Sequence, residues 1–325
     1  MVDFRFHLVS LISVFMALSV GVILGAGPLQ NSMGKVLSHE VEDLRTSREE
    51  ARQNVSELED NLKYSEESLT IAAQQLTKDV LKDKTVAFVI LPGVEAQDVE
   101  EAKKALAHSG ARITVCVSVT DQALSTVNAQ YRDALASQVR GSGIISTIND
   151  KSTSFEILAS AIDTIAREGT AHDGVSTLIS FLSSDDEEHN FLSIDETLGE
   201  KAQATVLFVP SLLFSNSDNL PENYKDENKA REQFIDPLEG IFTSQGAHVV
   251  ATYNDENVIK KLEEVSRSSV IDSLGRVAGA YNIAVGLTYE HNGNHIRLGR
   301  GENAVTTLGI PVAINANAGE PSAEG

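Results

Sequence analysis

Cysteine is almost absent from this chain: a single residue, Cys116, in 325. That excludes an internal disulfide framework, and the lone thiol lies inside an apolar run that reads as a core strand. Tryptophan is missing, and methionine occurs three times, at Met1, Met16 and Met33. Thiolates and thioethers are the donors a soft cation prefers, so nothing here clusters as a soft-metal site. Positive charge is scarce too. Lys and Arg number 26 against 47 Asp and Glu, a formal charge of −21. Phosphate binding needs clustered cations, which excludes a nucleic-acid partner, and the acidity disfavours tight adhesion to anionic headgroups. Familiar catalytic signatures are lacking: there is no G-x-S-x-G, no G-x-G-x-x-G after a strand and no P-loop lysine. Ser32-x-x-Lys35 matches a β-lactamase-type fragment without its companion motifs. The chain reads as a non-enzyme without a cofactor.

What is present begins at the N-terminus. Leu8 to Gly27 carries no charge over twenty residues, roughly 30 Å of helix and the thickness of a bilayer's apolar core. The stretch is longer than a secretory signal's apolar region, and Pro28 sits awkwardly as a mature N-terminus, so residues 1–27 read as a short tail and a retained membrane anchor. A cleaved signal is the alternative. Ser13, Ala17, Gly21 and Gly25 recur at every fourth position, a small-residue row that lets two helices approach in lipid. Flanking charge gives almost a tie for orientation, with Arg5 and Asp3 before the span and Lys35 and Arg45 after it.

Residues 28–82 read as a coiled-coil stalk. Val41, Val55, Leu62, Leu69 and Leu76 fall at heptad position a, and Leu37, Leu44, Leu58 and Ala72 at d. The seam runs for about six heptads, roughly 65 Å, with Arg48 and Ser65 as polar interruptions. A parallel homodimer is the expected product, and an amphipathic helix folded on its own domain is the alternative.

Residues 85–315 read as an α/β domain. Thr85–Leu91, Ala111–Val117, Gly143–Ile148, Ala204–Val209, Gly246–Ala251 and Ser269–Ile271 are the expected strands. They alternate with helices at Val99–His108, Ala129–Val139, Phe155–Arg167, a stretch ending near Gln245, and Arg276–Tyr289. This is the pattern of a doubly wound parallel sheet covered on both faces. Gly246-Ala247-His248-Val249 echoes Gly110-Ala111-Arg112-Ile113, which suggests two related halves, about 85–170 and 200–315, joined by a helical stretch from Val175 to Leu198. Ser215–Glu232 reads as an exposed loop running into a helix, and 316–325 as a flexible tail. In such a sheet a ligand would lie beyond the C-terminal strand ends, which makes Pro92, Gly93, Asp150, Pro210, Ser211 and Asp272 the candidate rim. Asp272 also suits a helix cap.

Asp3-Phe4-Arg5-Phe6-His7-Leu8-Val9-Ser10-Leu11, with Val14-Phe15, Leu18, Gly21 and Leu24-Gly25, resembles the opening of the actinobacterial MctB/SteB family, the mycobacterial copper transport protein B family. Ser269-Val270-Ile271-Asp272 and Gly299 to Pro311 are similar as well. The resemblance implies a cytoplasmic N-terminus, a stalk and an extracytoplasmic head. It also implies either partner binding in cell-wall or septum assembly, through a membrane protein of the envelope or division machinery, or copper transport and tolerance. The residues favour an adaptor. For copper the only weak candidates are His291-x-x-x-His295 and Cys116. The acidic run Asp185-Asp186-Glu187-Glu188-His189 reads as a solvated turn, lacking the Asp/Gly alternation of a Ca²⁺ loop.

Overall fold

The computed structural model describes residues 4–26, 28–169, 173–195, 199–211 and 222–314, and leaves the side chains of 4, 25–38, 173 and 222–228 outside the description. Asp3, Gly27, the 215–221 part of the expected polar loop and the 316–325 tail lie outside the described residues, as do the side chains of Gly25 and Leu37. The chain divides into two compact units, Met1–Glu66 and Glu67–Gly325.

The first unit holds α1 (Phe4–Ala26) and most of α2 (Pro28–Thr77). Within α1, Arg5–Leu24 is long and apolar enough to cross a membrane. Two of its hydroxyls are satisfied inside the helix: Ser13 Oγ donates to the Val9 carbonyl at 2.9 Å and Ser19 Oγ to that of Phe15 at 2.7 Å. Buried in hydrocarbon, a hydroxyl has no other partner. Nothing lies within 4 Å of a Cβ added at Gly21, so this face is open. Helix α2 is a single helix of 50 residues, roughly 75 Å long. Val41, Leu44, Val55, Leu58, Leu62 and Leu76 stay uncovered by the chain itself, from 41% exposure at Leu76 to 68% at Leu44, whereas Leu69 is half-buried.

The second unit is built on one seven-stranded sheet. In chain order its elements are β1 (Thr85–Ile90), α3 (Ala96–His108), β2 (Arg112–Val119), α4 (Asp121–Leu124), α5 (Ala129–Ser142), α6 (Ser154–Glu168), α7 (Asp173–Leu182), β3 (Leu192–Asp195), β4 (Ala204–Val209), α8 (Glu222–Ser244), β5 (Ala247–Thr252), α9 (Glu256–Val265), β6 (Ser269–Ile271), α10 (Val277–Glu290) and β7 (Arg297–Leu298). The strand order is β3-β2-β1-β4-β5-β6-β7, parallel throughout except for β3 on β2. Every residue of β4 is buried, as a central strand covered on both faces requires. Helices α4 to α9 cover one face with Phe191, Phe234 and Phe242, and α3 and α10 cover the other.

The expected strand at Gly143–Ile148 is not one. Gly143 adopts φ 67° and closes α5 by donating to the Arg140 carbonyl, and Ile144, Ile145 and Ile148 pack on the core from a loop. Apolar content set that expectation, and the left-handed glycine overrides it. Asp150 therefore stands on a turn rather than at a strand end. The stretch expected to be helical from Val175 splits into α7 and the antiparallel edge strand β3. The echo between Gly110 and Gly246 marks two strand starts that each follow a crossover helix. Shared βαβ geometry accounts for it locally.

The last crossover is unusual. From β4 to β5 and from β5 to β6 the chain steps one way along the sheet with its helices on the first face. From β1 to β2 it steps the other way with α3 on the second face, so these three share one hand. From β6 to β7 it steps the first way with α10 on the second face, which is the opposite hand. About 98% of parallel crossovers are right-handed, so this minority arrangement needs support from outside the βαβ unit.

Asp272 supplies it. Its carboxylate accepts the Arg300 amide at 2.6 Å and the Gly301 amide at 2.7 Å, tying the end of β6 to the loop after β7. Gly299 stands at φ 142°, and a Cβ there would lie 1.7 Å from Asp272 Oδ1, so only glycine fits. The chain then straps over α10. Asn282 donates to the Thr307 carbonyl at 2.8 Å and accepts from Gly309 at 2.9 Å, Thr288 Oγ1 accepts from Val312 at 3.1 Å, and Asn292 donates to Ala313 at 2.9 Å. Replacing Asp272 with Ala should lower the unfolding free energy by about 3 kcal/mol, because two amides lose a charged acceptor. Denaturant unfolding of the full chain in detergent reads this, and a loss below about 0.5 kcal/mol would mean that other contacts hold the loop.

Candidate functional site

Order reversal between β1 and β4 makes their C-terminal ends the place where a ligand crevice belongs. Pro92 and Gly93 follow β1, and Pro210 and Ser211 follow β4, as the sequence suggested. The two strand ends approach each other closely there. A Cβ on Gly93, at φ 97°, would stand 3.3 Å from Pro210 Cβ. Nearby, Tyr253 Oη donates to Asp98 Oδ2 at 2.6 Å and accepts from the Glu95 amide at 3.1 Å. Burial, then the Asp98 hydrogen bond, push the phenol's pKa upward, so it stays a neutral donor. Asp272 does not join this rim, being spent on the loop after β7. Nor does it cap α10, whose N-cap is Arg276.

The histidine pair lies at the opposite edge of the sheet. A cavity of about 740 Å³ opens at the N-terminal strand ends, lined by Lys84, Gln203, Gly246, Glu290, His291 and His295 among others. His291 ends α10 and His295 precedes β7, so the spacing arises from a helix terminus and the turn after it. His295 Nδ1 pairs with Glu290 Oε1 at 2.9 Å, and the same oxygen accepts the Ser269 amide at 2.5 Å. The Nε2 atom of His291 is buried and has no hydrogen-bond partner among the described residues. Burial, helped by the positive charge of Lys84, lowers its pKa to about 4, so the ring is neutral at physiological pH. Cys116 stays apart. It is 3% exposed in the apolar layer beneath α3 and does not line this cavity. Among the described residues no three His, Cys, Asp or Glu side chains converge to hold a metal ion. The acidic run before β3 folds as a turn in which His189 Nδ1 meets Asp186 Oδ2 at 2.6 Å.

A buried polar chain went unread in the sequence. Glu239 Oε1 meets His248 Nε2 at 3.0 Å, and His248 Nδ1 meets Thr205 Oγ1 at 2.9 Å. Arg167 continues it, donating to Thr205 Oγ1 at 3.3 Å, to the Phe242 carbonyl at 2.9 Å and to Asp163 at 2.7 Å. Acid, imidazole and hydroxyl in line have the order of a nucleophilic triad. Yet Glu239, His248 and Thr205 are all 0% exposed, so no substrate reaches them. The chain ties α6 and α8 to the sheet. Burial raises the Asp163 pKa, against the pull of Arg167. The available signal was a histidine at an inward position of β5.

Together these features define a protein with, among the described residues, one helix long and apolar enough to cross a membrane, and an α/β head on a mostly parallel sheet. A profile of the family described as "Copper transport outer membrane protein, MctB" matches residues 1–308. The chain belongs to that family. Proteins named copper transporter MctB from Mycobacterium bovis and Mycobacterium tuberculosis are 27% identical to it over 130 residues, 40% of this chain and 41% of theirs. The aligned part thus spans well under half the length of those relatives.

The His291 ring has a direct consequence for stability. An unfolded histidine takes up a proton near pH 6.5, whereas the native ring refuses it until about pH 4. Its contribution is therefore complete above pH 6.5 and is lost progressively as the pH falls towards 4, about 3 kcal/mol in all. His291→Gln should flatten that part of the profile, read by chemical denaturation at a series of pH values.

Proposed function

We propose that this chain takes part in copper transport or copper tolerance at the cell envelope, as a membrane-anchored protein that self-associates through α2. The observation that carries this reading is the family match, which runs from the apolar helix through the head to residue 308. The relatives' printed name supplies copper as the substrate. Chemistry limits how the chain would handle it. A single helix with no ionisable residue between Leu8 and Ala26 provides no path for an ion, so passage across a bilayer needs an assembly or a partner. The role left to one chain is to take up or hand on the ion at the head. His291 and His295 suit that role best. Imidazole is a copper ligand, the His291 ring is neutral, and His295 is oriented by a carboxylate on its other nitrogen, the arrangement that usually backs a metal-binding histidine.

A second reading is an adaptor that binds partner proteins in cell-wall or septum assembly, and the uncovered apolar row on α2 favours it. Both readings use a parallel dimer with the bulk of the chain outside the membrane. In that register each Glu40, at g, would face Arg45 of the partner helix, at e, and no like charges are paired. The 3,4 spacing of the uncovered row is what a second helix would fill.

Two measurements test this. The full chain in detergent is titrated with Cu(I) under reducing conditions against a competing chelator. Stoichiometric binding, lost in His291→Gln or His295→Gln, is expected, and no binding would move weight to the adaptor. Separately, replacing Leu58, Leu62 and Leu69 with Ser should leave the head folded and convert the dimer mass to monomer. A dimer that survives all three changes would place the interface elsewhere.

A further inference from the structure

The last turns of α2 have two different apolar edges. Ala73 and Thr77 are fully buried, and Ala73 packs with Ala105, Ala280 and Tyr281, flanked by Leu308 of the strap. In the heptad that places Leu69 and Leu76 at a, residues 73 and 77 are e and b. The head thus docks on the b/e edge and leaves the last a/d positions uncovered, with Leu76 41% exposed and Leu69 half-buried. Ile71 falls at c, on the flank opposite the docked head, and is 62% exposed. Ile310, two residues beyond Leu308, is 69% exposed on the strap.

In a parallel two-stranded coil the g/c flank of one helix lies beside the e/b flank of the other. Since e/b is where each head is attached, the g/c flank of one helix faces the partner's head. We infer that the two copies clasp one another at the base of the stalk, with Ile71 of each chain packing on the strap of the partner near the partner's Ile310. The occupant of the exposed Ile71 flank is therefore a second copy of this chain, and each helix end lies between two heads. This rests on the self-association proposed above.

The test uses full-length chains in lipid nanodiscs, made as two differently tagged populations, one carrying Ile71→Cys and the other Ile310→Cys. They are co-expressed and oxidised with a thiol-specific diazene, so any disulfide joining both tags is intermolecular. A doubly tagged band, absent from wild-type chains that carry only the buried Cys116, is expected. Leu62→Cys alone serves as the control for the seam and should cross-link with itself. Cross-linked Leu62→Cys without the doubly tagged band would overturn the clasp and leave the coil standing. No cross-link at either place would overturn both. As a second readout, Ile71→Ser should weaken dimerisation by about tenfold or more without changing head stability, because each dimer buries two copies of that side chain; an unchanged dimerisation constant would also overturn the clasp.

Discussion

One carboxylate holds the far half of the head together. Asp272 closes the end of β6 onto the loop after β7, and everything beyond it depends on that contact. Helix α10 crosses the sheet with the uncommon hand, so its own βαβ unit does not fix it in place. The loop at Gly299 sets the entry of the strap, and the strap covers the outward side of α10 through Asn282, Thr288 and Asn292. This explains why α10 is buried nearly all round and why its sequence shows no polar face. It also gives a physical meaning to two short stretches of family resemblance, Ser269–Asp272 and Gly299–Pro311, which lie far apart in the chain and meet at this carboxylate.

Much of the architecture was legible because its signals are periodic. Continuous β-rich runs closed by Pro92 and Pro210 gave β1 and β4, and a sustained 3,4 repeat gave the long helix α2. Failures came where a local residue outranked apolar content. Gly143 turned an expected strand into a loop, and a polar turn before Leu192 hid the antiparallel edge. The two-residue β7 is too short to leave a pattern. For the sites, proline and glycine after a strand marked the C-terminal ends of β1 and β4 at Pro92, Gly93, Pro210 and Ser211. Asp272 was misassigned as a helix cap because its true partners are main-chain amides 28 and 29 residues away, which carry no side-chain signature. The Glu239–His248–Thr205 chain stayed hidden for a similar reason, since its members come from separate elements.

The two ends of the sheet have different chemistry. At the C-terminal end Gly93 lies close to Pro210 and the Tyr253 phenol is engaged by the Asp98 carboxylate. At the N-terminal end lies a polar cavity with a neutral, unpartnered imidazole nitrogen. Open α/β sheets ordinarily put ligands at the first end. In this head the cavity of about 740 Å³ lies at the second end, and a smaller opening beside Asp121 and Arg231 lies at the first.

The strap carries a consequence for the order of events during synthesis. Residues 304–314 follow every helix of the described head, yet they cover one whose other sides face the sheet, α3 and, at Ala280 and Tyr281, the end of α2. Until they emerge from the ribosome, α10 has an apolar side with nothing to bury it against, and the minority-hand crossover has no clamp. The head therefore closes at this edge only once residues 304–314 have emerged. A chain cut short before Gly299 would retain β1 to β5 but expose the surface of α10, a sticky intermediate of the kind that cells recognise and remove.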